Sequence, residues 1–184
     1  QEVLLLGTKK VLVVIDPQVR SAEVADPALK SLQQAGVKYV IYDRITREPE
    51  PAEADDAATL GREFGAQAVV GIGGGSALDL AKAAGVLMTN LGPATEYVGL
   101  ELIKKPGKPV ICLPTTAGTG SEVTFTAVFT RRADGFKGGI NGRMLYPHTA
   151  ILDPLLTVSC PAYITAITGM DALTHAMEAY TSRA

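Results

Sequence analysis

Val11-Leu12-Val13-Val14-Ile15 is an unbroken apolar run, four of its five residues β-branched, which is how a strand buried on both faces reads. Similar runs recur at Lys38-Tyr39-Val40-Ile41-Tyr42, Ala68-Val69-Val70-Gly71-Ile72 and Pro109 to Leu113. Helical patterns separate them: Asp26 to Ala35, closed by Gly36; Glu53 to Phe64, closed by Gly65; and Ala77 to about Met88. Four βα units joined by short loops predict parallel strands, right-handed crossovers and helices on both faces. The fold class expected is therefore α/β, a Rossmann-like open and mainly parallel sheet. Beyond Gly118, Glu122 to Thr130 reads as a further strand and Thr149 to Asp153 as another, stopped by Pro154. From Pro161 the pattern is helical to Ala184.

Composition narrows the classes of function. In 184 residues, 17 Lys+Arg face 19 Asp+Glu, a net charge of −2 with no basic block, which argues against a nucleic-acid surface. No window holds the ~18 apolar residues of a membrane span, and the opening Gln1 to Gly7 has no signal-peptide layout. Cys112 and Cys160 lie far apart in apolar contexts. Both are expected to be buried as free thiols, in a protein of the reducing cytoplasm.

Gly73-Gly74-Gly75-Ser76 leaves a strand and opens a helix. Bare backbone there, at a helix N-terminus, suits a diphosphate. Neither G-x-G-x-x-G nor G-K-[ST] is present, and a tight turn with Ser76 as N-cap and Asp79 completing a capping-box-like pair accounts for the same residues. Thr115-Thr116-Ala117-Gly118-Thr119-Gly120-Ser121-Glu122 follows the next strand with four hydroxyls; these suit ribose, phosphate or a carboxamide, or an ST-turn network. Asp16 ends the first strand, either as an acceptor for ribose hydroxyls or as the start of an Asp-Pro turn. Two such loops on adjacent βα units converge on one crevice, where open α/β sheets bind ligands.

In the terminal helix, Asp171, His175, Glu178 and Ser182 share a stripe, with Met170, Leu173, Met177 and Tyr180 on the opposite side, toward a core. Asp171 and His175, one turn apart, can reach the same divalent ion, although solvated i,i+4 pairs are the commoner use of this spacing. A catalytic metal site needs about three protein ligands, and no third is evident. His148 reads as structural.

Taken together, Gly73 to Lys82, Leu113 to Thr124, Ile151-Leu152-Asp153-Pro154 and Thr168 to Tyr180 closely resemble the iron-containing (group III) alcohol dehydrogenases. The resemblance implies an NAD(P)-dependent oxidoreductase interconverting primary alcohols and aldehydes. It places the pyrophosphate on Gly73, Gly74, Gly75 and Ser76 and Asp79 near the nicotinamide. Thr115, Thr116, Thr119, Thr124, Val128 and Lys137 join the cofactor contacts, and Asp16 favours NAD over NADP. Asp171 and His175 match two ligands of a divalent metal, Fe²⁺ or Zn²⁺, whose Lewis acidity stabilises an alkoxide. Glu48-Pro49 stands where the family more often has Asn-Pro.

Family members continue into a helical domain that supplies further histidine ligands. The chain is therefore expected to comprise a dinucleotide-binding domain, residues 1–157, and the truncated start of a helical metal-binding domain, residues 158–184. No full catalytic activity is expected from it alone, and an exposed apolar helix face should make it a homo-oligomer. The rival is a stand-alone nucleotide-binding or oligomerising module without catalysis.

Overall fold

The computed structural model describes residues 1–183. In chain order its elements are α1 (Glu2–Leu5), β1 (Lys10–Ile15), α2 (Pro17–Ser21), α3 (Asp26–Gln34), β2 (Lys38–Tyr42), α4 (Pro51–Phe64), β3 (Ala68–Gly73), α5 (Gly75–Leu87), β4 (Gly99–Leu100), β5 (Val110–Pro114), β6 (Thr126–Arg131), β7 (Phe136–Asn141), β8 (Thr149–Ala150) and α6 (Ala162–Thr181). The main sheet runs β2-β1-β3-β5-β8, and every pairing in it is parallel. The α/β, Rossmann-like expectation holds.

Local chemistry explains the elements. Val11 to Ile15 are all 0% exposed, because helices cover both sheet faces and leave this strand no solvated side. Each such side chain contributes about 1.5–3 kcal/mol of apolar burial. One core layer gathers α4 and α5 against the sheet through Ala57, Leu78 and Leu80; the other packs Val3, Leu32 and Leu156 on the opposite face. α4 begins at Pro51 rather than Glu53, since proline fits a first helical turn and the Glu50 and Glu53 side chains form a reciprocal capping box.

Three features differ from the sequence reading. β6 starts at Thr126, not Glu122, because Ser121–Val123 wind into a 3-10 turn. β7 pairs antiparallel with β6, and together with β4 they form a separate three-stranded sheet; Gly138-Gly139 had erased the apolar alternation that announces a strand. β8 is only Thr149–Ala150, since Asp153 caps a 3-10 turn at Pro154–Thr157 by accepting from the Leu155 amide at 3.0 Å.

The strand order places the reversal between β1 and β3: the chain leaves β1 for β2 on one side, then crosses to β3 on the other. At such a switch point the loops after neighbouring strands part and leave a crevice beyond their carboxyl ends. α6 borders this edge. It has no buried residue: Met170, Leu173, Met177 and Tyr180, read as facing a core, are 51–91% exposed, because no described element covers them. The helical reading to Ala184 ends at Thr181, and Ala184 itself lies outside the described residues. No helix among the described residues is long and apolar enough to cross a membrane.

The closeness of β3 to α5 sets a limit on side-chain size. A Cβ at Gly71 would lie 2.7 Å from Ala81 Cβ and 3.4 Å from Leu78 Cδ2. Gly71→Ala is therefore expected to lower unfolding stability by about 1–3 kcal/mol through overpacking. Urea titration measures this, and an unchanged midpoint would contradict the packing described.

Candidate functional site

The crevice is built from the ends of three strands. Gly73 takes φ +150°, and a Cβ there would sit 2.7 Å from Ala77 Cβ and 3.0 Å from Asp16 Cβ, so only glycine brings β3 this close to both the end of β1 and the helix it enters. The Asp16 amide donates to Ile72 O at 3.1 Å, and the Thr115 amide donates to Gly73 O at 3.0 Å, lacing β1, β3 and β5 together at this edge. α5 begins with Gly74 as a cap that lacks a side-chain acceptor. The Gly75 and Ser76 amides have no acceptor among the described residues. They are the orphan donors of a helix N-terminus, open toward the crevice.

Ser76 is not an N-cap, and Asp79 does not complete a capping box. Ser76 Oγ instead donates to Arg47 O at 3.0 Å, which ties the glycine turn to the loop after β2. Asp16 resolves as an N-cap: its Oδ1 accepts from the Gln18 and Val19 amides at 2.7 and 3.2 Å, starting α2.

The hydroxyl-bearing loop forms the facing wall. A Cβ on Gly75 would meet Thr119 Cγ2 at 3.0 Å, and one on Gly74 would meet Thr116 Oγ1 at 3.4 Å. The space that a pair of side chains would fill is thus left as a cradle under two threonines. Gly118, at φ +158°, brings the loop against α6, where a Cβ would fall 2.2 Å from Thr168 O. The resulting cleft has a volume of about 640 Å³. Asp16, Gly74, Gly75, Ser76, Thr115, Thr116 and Thr119 line it, with Thr46, Arg47, Cys160, Tyr163 and Thr168 among their neighbours. Asp16 and Arg47 are the charged residues of the lining.

Five of the cofactor residues named from the resemblance do not line this cleft; one of them, Gly73, forms the close approach beneath it. Asp79, Thr124 and Val128 belong to a buried network behind its wall, and Lys137 is exposed on β7, 3.8 Å from Glu48. The network centres on Lys82, whose side chain is 0% exposed. Its Nζ lies 3.0 Å from Asp79 Oδ1 and donates to Ser121 O at 2.9 Å, Thr124 Oγ1 at 3.2 Å and Thr126 O. Asp79 also accepts from Ser121 Oγ at 2.5 Å and from the Val128 amide at 2.9 Å. Among the described residues, no buried side-chain polar atom lacks a hydrogen-bond partner. Beyond Ser76 in its first turn α5 is otherwise apolar, and its buried ion pair fastens the end of the hydroxyl-bearing loop and the start of β6 to the helix.

Cys112 is fully buried beside this network, and burial pushes its thiol up to about 12, against the pull of the Lys82 charge. It is chemically inert at neutral pH. Cys160 is half-buried and lines the cleft, contrary to the expectation that both cysteines are interior.

On α6, His175 Nε2 and Asp171 Oδ2 stand 3.6 Å apart on one side of the helix, with side chains 67% and 46% exposed. They point the same way, as their spacing predicts. No group of three or more His, Cys, Asp or Glu able to hold a metal exists among the described residues. Two donors do not make up the three protein ligands or so that a catalytic centre uses, so by themselves they do not fit one.

The family model for iron-containing alcohol dehydrogenase matches residues 1–154. The chain belongs to that family. It is 41% identical over 187 residues to the choline dehydrogenase of Bacillus subtilis (strain 168), covering 100% of this chain and 46% of the relative. It is 39% identical over 181 residues to the 1,3-propanediol dehydrogenase of Klebsiella pneumoniae, covering 97% and 47%. The crystal structure of a 1,3-propanediol oxidoreductase superposes with a TM-score of 0.94 at 38% identity, over 99% of this chain and 48% of that one. The sulfoacetaldehyde reductase of Bifidobacterium kashiwanohense, solved in complex with NAD⁺, superposes with a TM-score of 0.85 at 34% identity, over 99% and 48%. The chain thus spans about half the length of the family members it matches.

Sequence reasoning missed the roles of Lys82, Arg47 and Thr168, and read Ser121 as a loop hydroxyl rather than as a partner of Asp79. Lys82 left a readable signal: it lies three residues after Asp79 in a helix with no other polar stripe, the spacing of a pair that must be buried together. Removing one partner strands the other charge in the interior. Lys82→Ala is expected to cost about 3–5 kcal/mol, and the double variant Asp79→Asn/Lys82→Met less than the sum of its single changes. Denaturant titration of the unaltered chain, Lys82→Ala, the double variant and its two single variants measures this, and additive losses would contradict a coupled pair.

Proposed function

We propose that this chain is the dinucleotide-binding part of an NAD(P)-dependent alcohol dehydrogenase that interconverts primary alcohols and aldehydes by hydride transfer. The observation that carries the reading is the cleft at the sheet's switch point, where unpaired amides of Gly75 and Ser76 face a wall of threonine hydroxyls. A diphosphate would satisfy those amides and lie in the favourable field at the start of α5. Thr115, Thr116 and Thr119 supply hydroxyls for the remainder of the cofactor. Asp79, Thr124 and Val128 serve it indirectly, by fixing that loop. Asp16 keeps one carboxylate oxygen free of the helix cap, and its negative charge favours a ribose hydroxyl over a 2′-phosphate, hence NAD over NADP.

When bound, the nicotinamide supplies the hydride acceptor or donor. Asp171 and His175 would give two ligands to a divalent ion, Fe²⁺ or Zn²⁺, with the others coming from outside these 184 residues. The domain boundary follows the same logic: residues 1–157 carry the glycine turn and the hydroxyl-bearing loop that would hold the nucleotide, and 158–184 border that cleft and open the metal-binding region. The exposed apolar residues of α6 support self-association, and the free cysteines suit the cytoplasm.

Calorimetric titration tests the reading. The chain is expected to bind NAD and ADP-ribose, and to show no full-enzyme turnover with Fe²⁺, NAD and simple primary alcohols. Failure to bind either nucleotide would overturn the site, and full turnover would overturn the incomplete metal centre.

A further inference from the structure

Resting on the nucleotide reading, we infer that Arg47 is a phosphate-contacting residue of the cleft. Its backbone is held from both sides. The preceding Thr46 donates through its amide and its hydroxyl to the Glu53 carboxylate, at 2.9 and 2.5 Å. The Arg47 carbonyl itself accepts from Ser76 Oγ at 3.0 Å, so residue 47 is pinned to the first turn of α5, beside the unpaired Gly75 and Ser76 amides.

The side chain is exposed and forms no ion pair among the described residues. Neighbouring carboxylates are engaged elsewhere. Glu53 closes the α4 cap and binds Thr46, Glu50 accepts from the Arg132 amide at 2.9 Å, and Glu48 faces Lys137. Asp16, the acidic residue of the lining, has an oxygen occupied by the α2 amides. Arg47 is thus the cationic side chain of the cleft, set at its phosphate-facing turn and without a protein partner. Guanidinium groups pair with phosphate oxygens through short, charge-assisted hydrogen bonds, often two at once. Such a contact adds a charge to what the amides and the helix dipole provide, and makes affinity dependent on salt.

Calorimetric titration of ADP-ribose into the 184-residue chain, at low and high salt, tests the assignment. Arg47→Ala is expected to weaken binding roughly tenfold at low salt, Arg47→Lys to recover part of the loss, and Arg47→Ala to show a flatter salt dependence than the unaltered chain. Because the side chain is exposed, thermal unfolding should not change, which separates lost contact from lost fold. Arg47→Gln, which keeps the length without the charge, is expected to bind like Arg47→Ala. Equal affinity and equal salt dependence in the altered and unaltered proteins would overturn the role of Arg47 alone. No binding by the unaltered chain would overturn the nucleotide reading beneath it.

Discussion

A lysine with no exposed surface governs this architecture. Burying an ammonium group is tolerable only when a counter-charge and hydrogen-bond acceptors surround it. Asp79, Ser121, Thr124 and Thr126 surround Lys82 in this way, and every one of the last three lies at the end of the hydroxyl-bearing loop or the beginning of β6. The helix that starts at the glycine turn therefore also fixes the wall opposite that turn. Both sides of the cleft descend from α5, one through its N-terminus and the other through its buried ion pair. The cleft is a rigid consequence of the core rather than a gap between independent loops.

Two close approaches complete the geometry. At Gly73 the backbone of β3 comes against Asp16 and Ala77, and at Gly118 the hydroxyl-bearing loop comes against Thr168 of α6. The first draws the β1 and β3 ends together at the switch point. The second sets α6, a helix without buried residues, against the cleft, one turn before Asp171. Asp171 and His175 follow on the same helix, exposed and with no third metal-binding side chain grouped with them among the described residues. That arrangement agrees with a chain covering about half of its family relatives' length.

Much of this was legible in the sequence, for reasons that differ by element. β1 and β3 announce themselves because two-sided burial demands continuous apolar runs. Gly36 and Gly65 mark helix ends because both adopt left-handed backbone, at φ +67° and +71°. The second sheet was not legible: β7 carries Gly138-Gly139 and an exposed start, so neither alternation nor propensity identifies it. Asp16, the glycine turn and Thr115, Thr116 and Thr119 converge because parallel strands bring every βα loop to one edge. The same rule brings the loop after β2 there, and with it Arg47, which motif reading alone passes over. Asp79, Thr124 and Val128 were assigned to the site by pattern. Their hydrogen bonds are with Lys82, Ser121 and one another, and only three-dimensional pairing across 42 to 49 residues reveals that.

The central claim is that a diphosphate occupies the space above Gly74, Gly75 and Ser76, facing Thr116 and Thr119. Amide-resolved NMR on the labelled chain, titrated with ADP-ribose, tests it most directly. The account predicts the largest shifts at the amides of Gly75 and Ser76, with accompanying changes at Thr116 to Thr119. Saturable binding whose shifts fall elsewhere, leaving those amides unmoved, would contradict it.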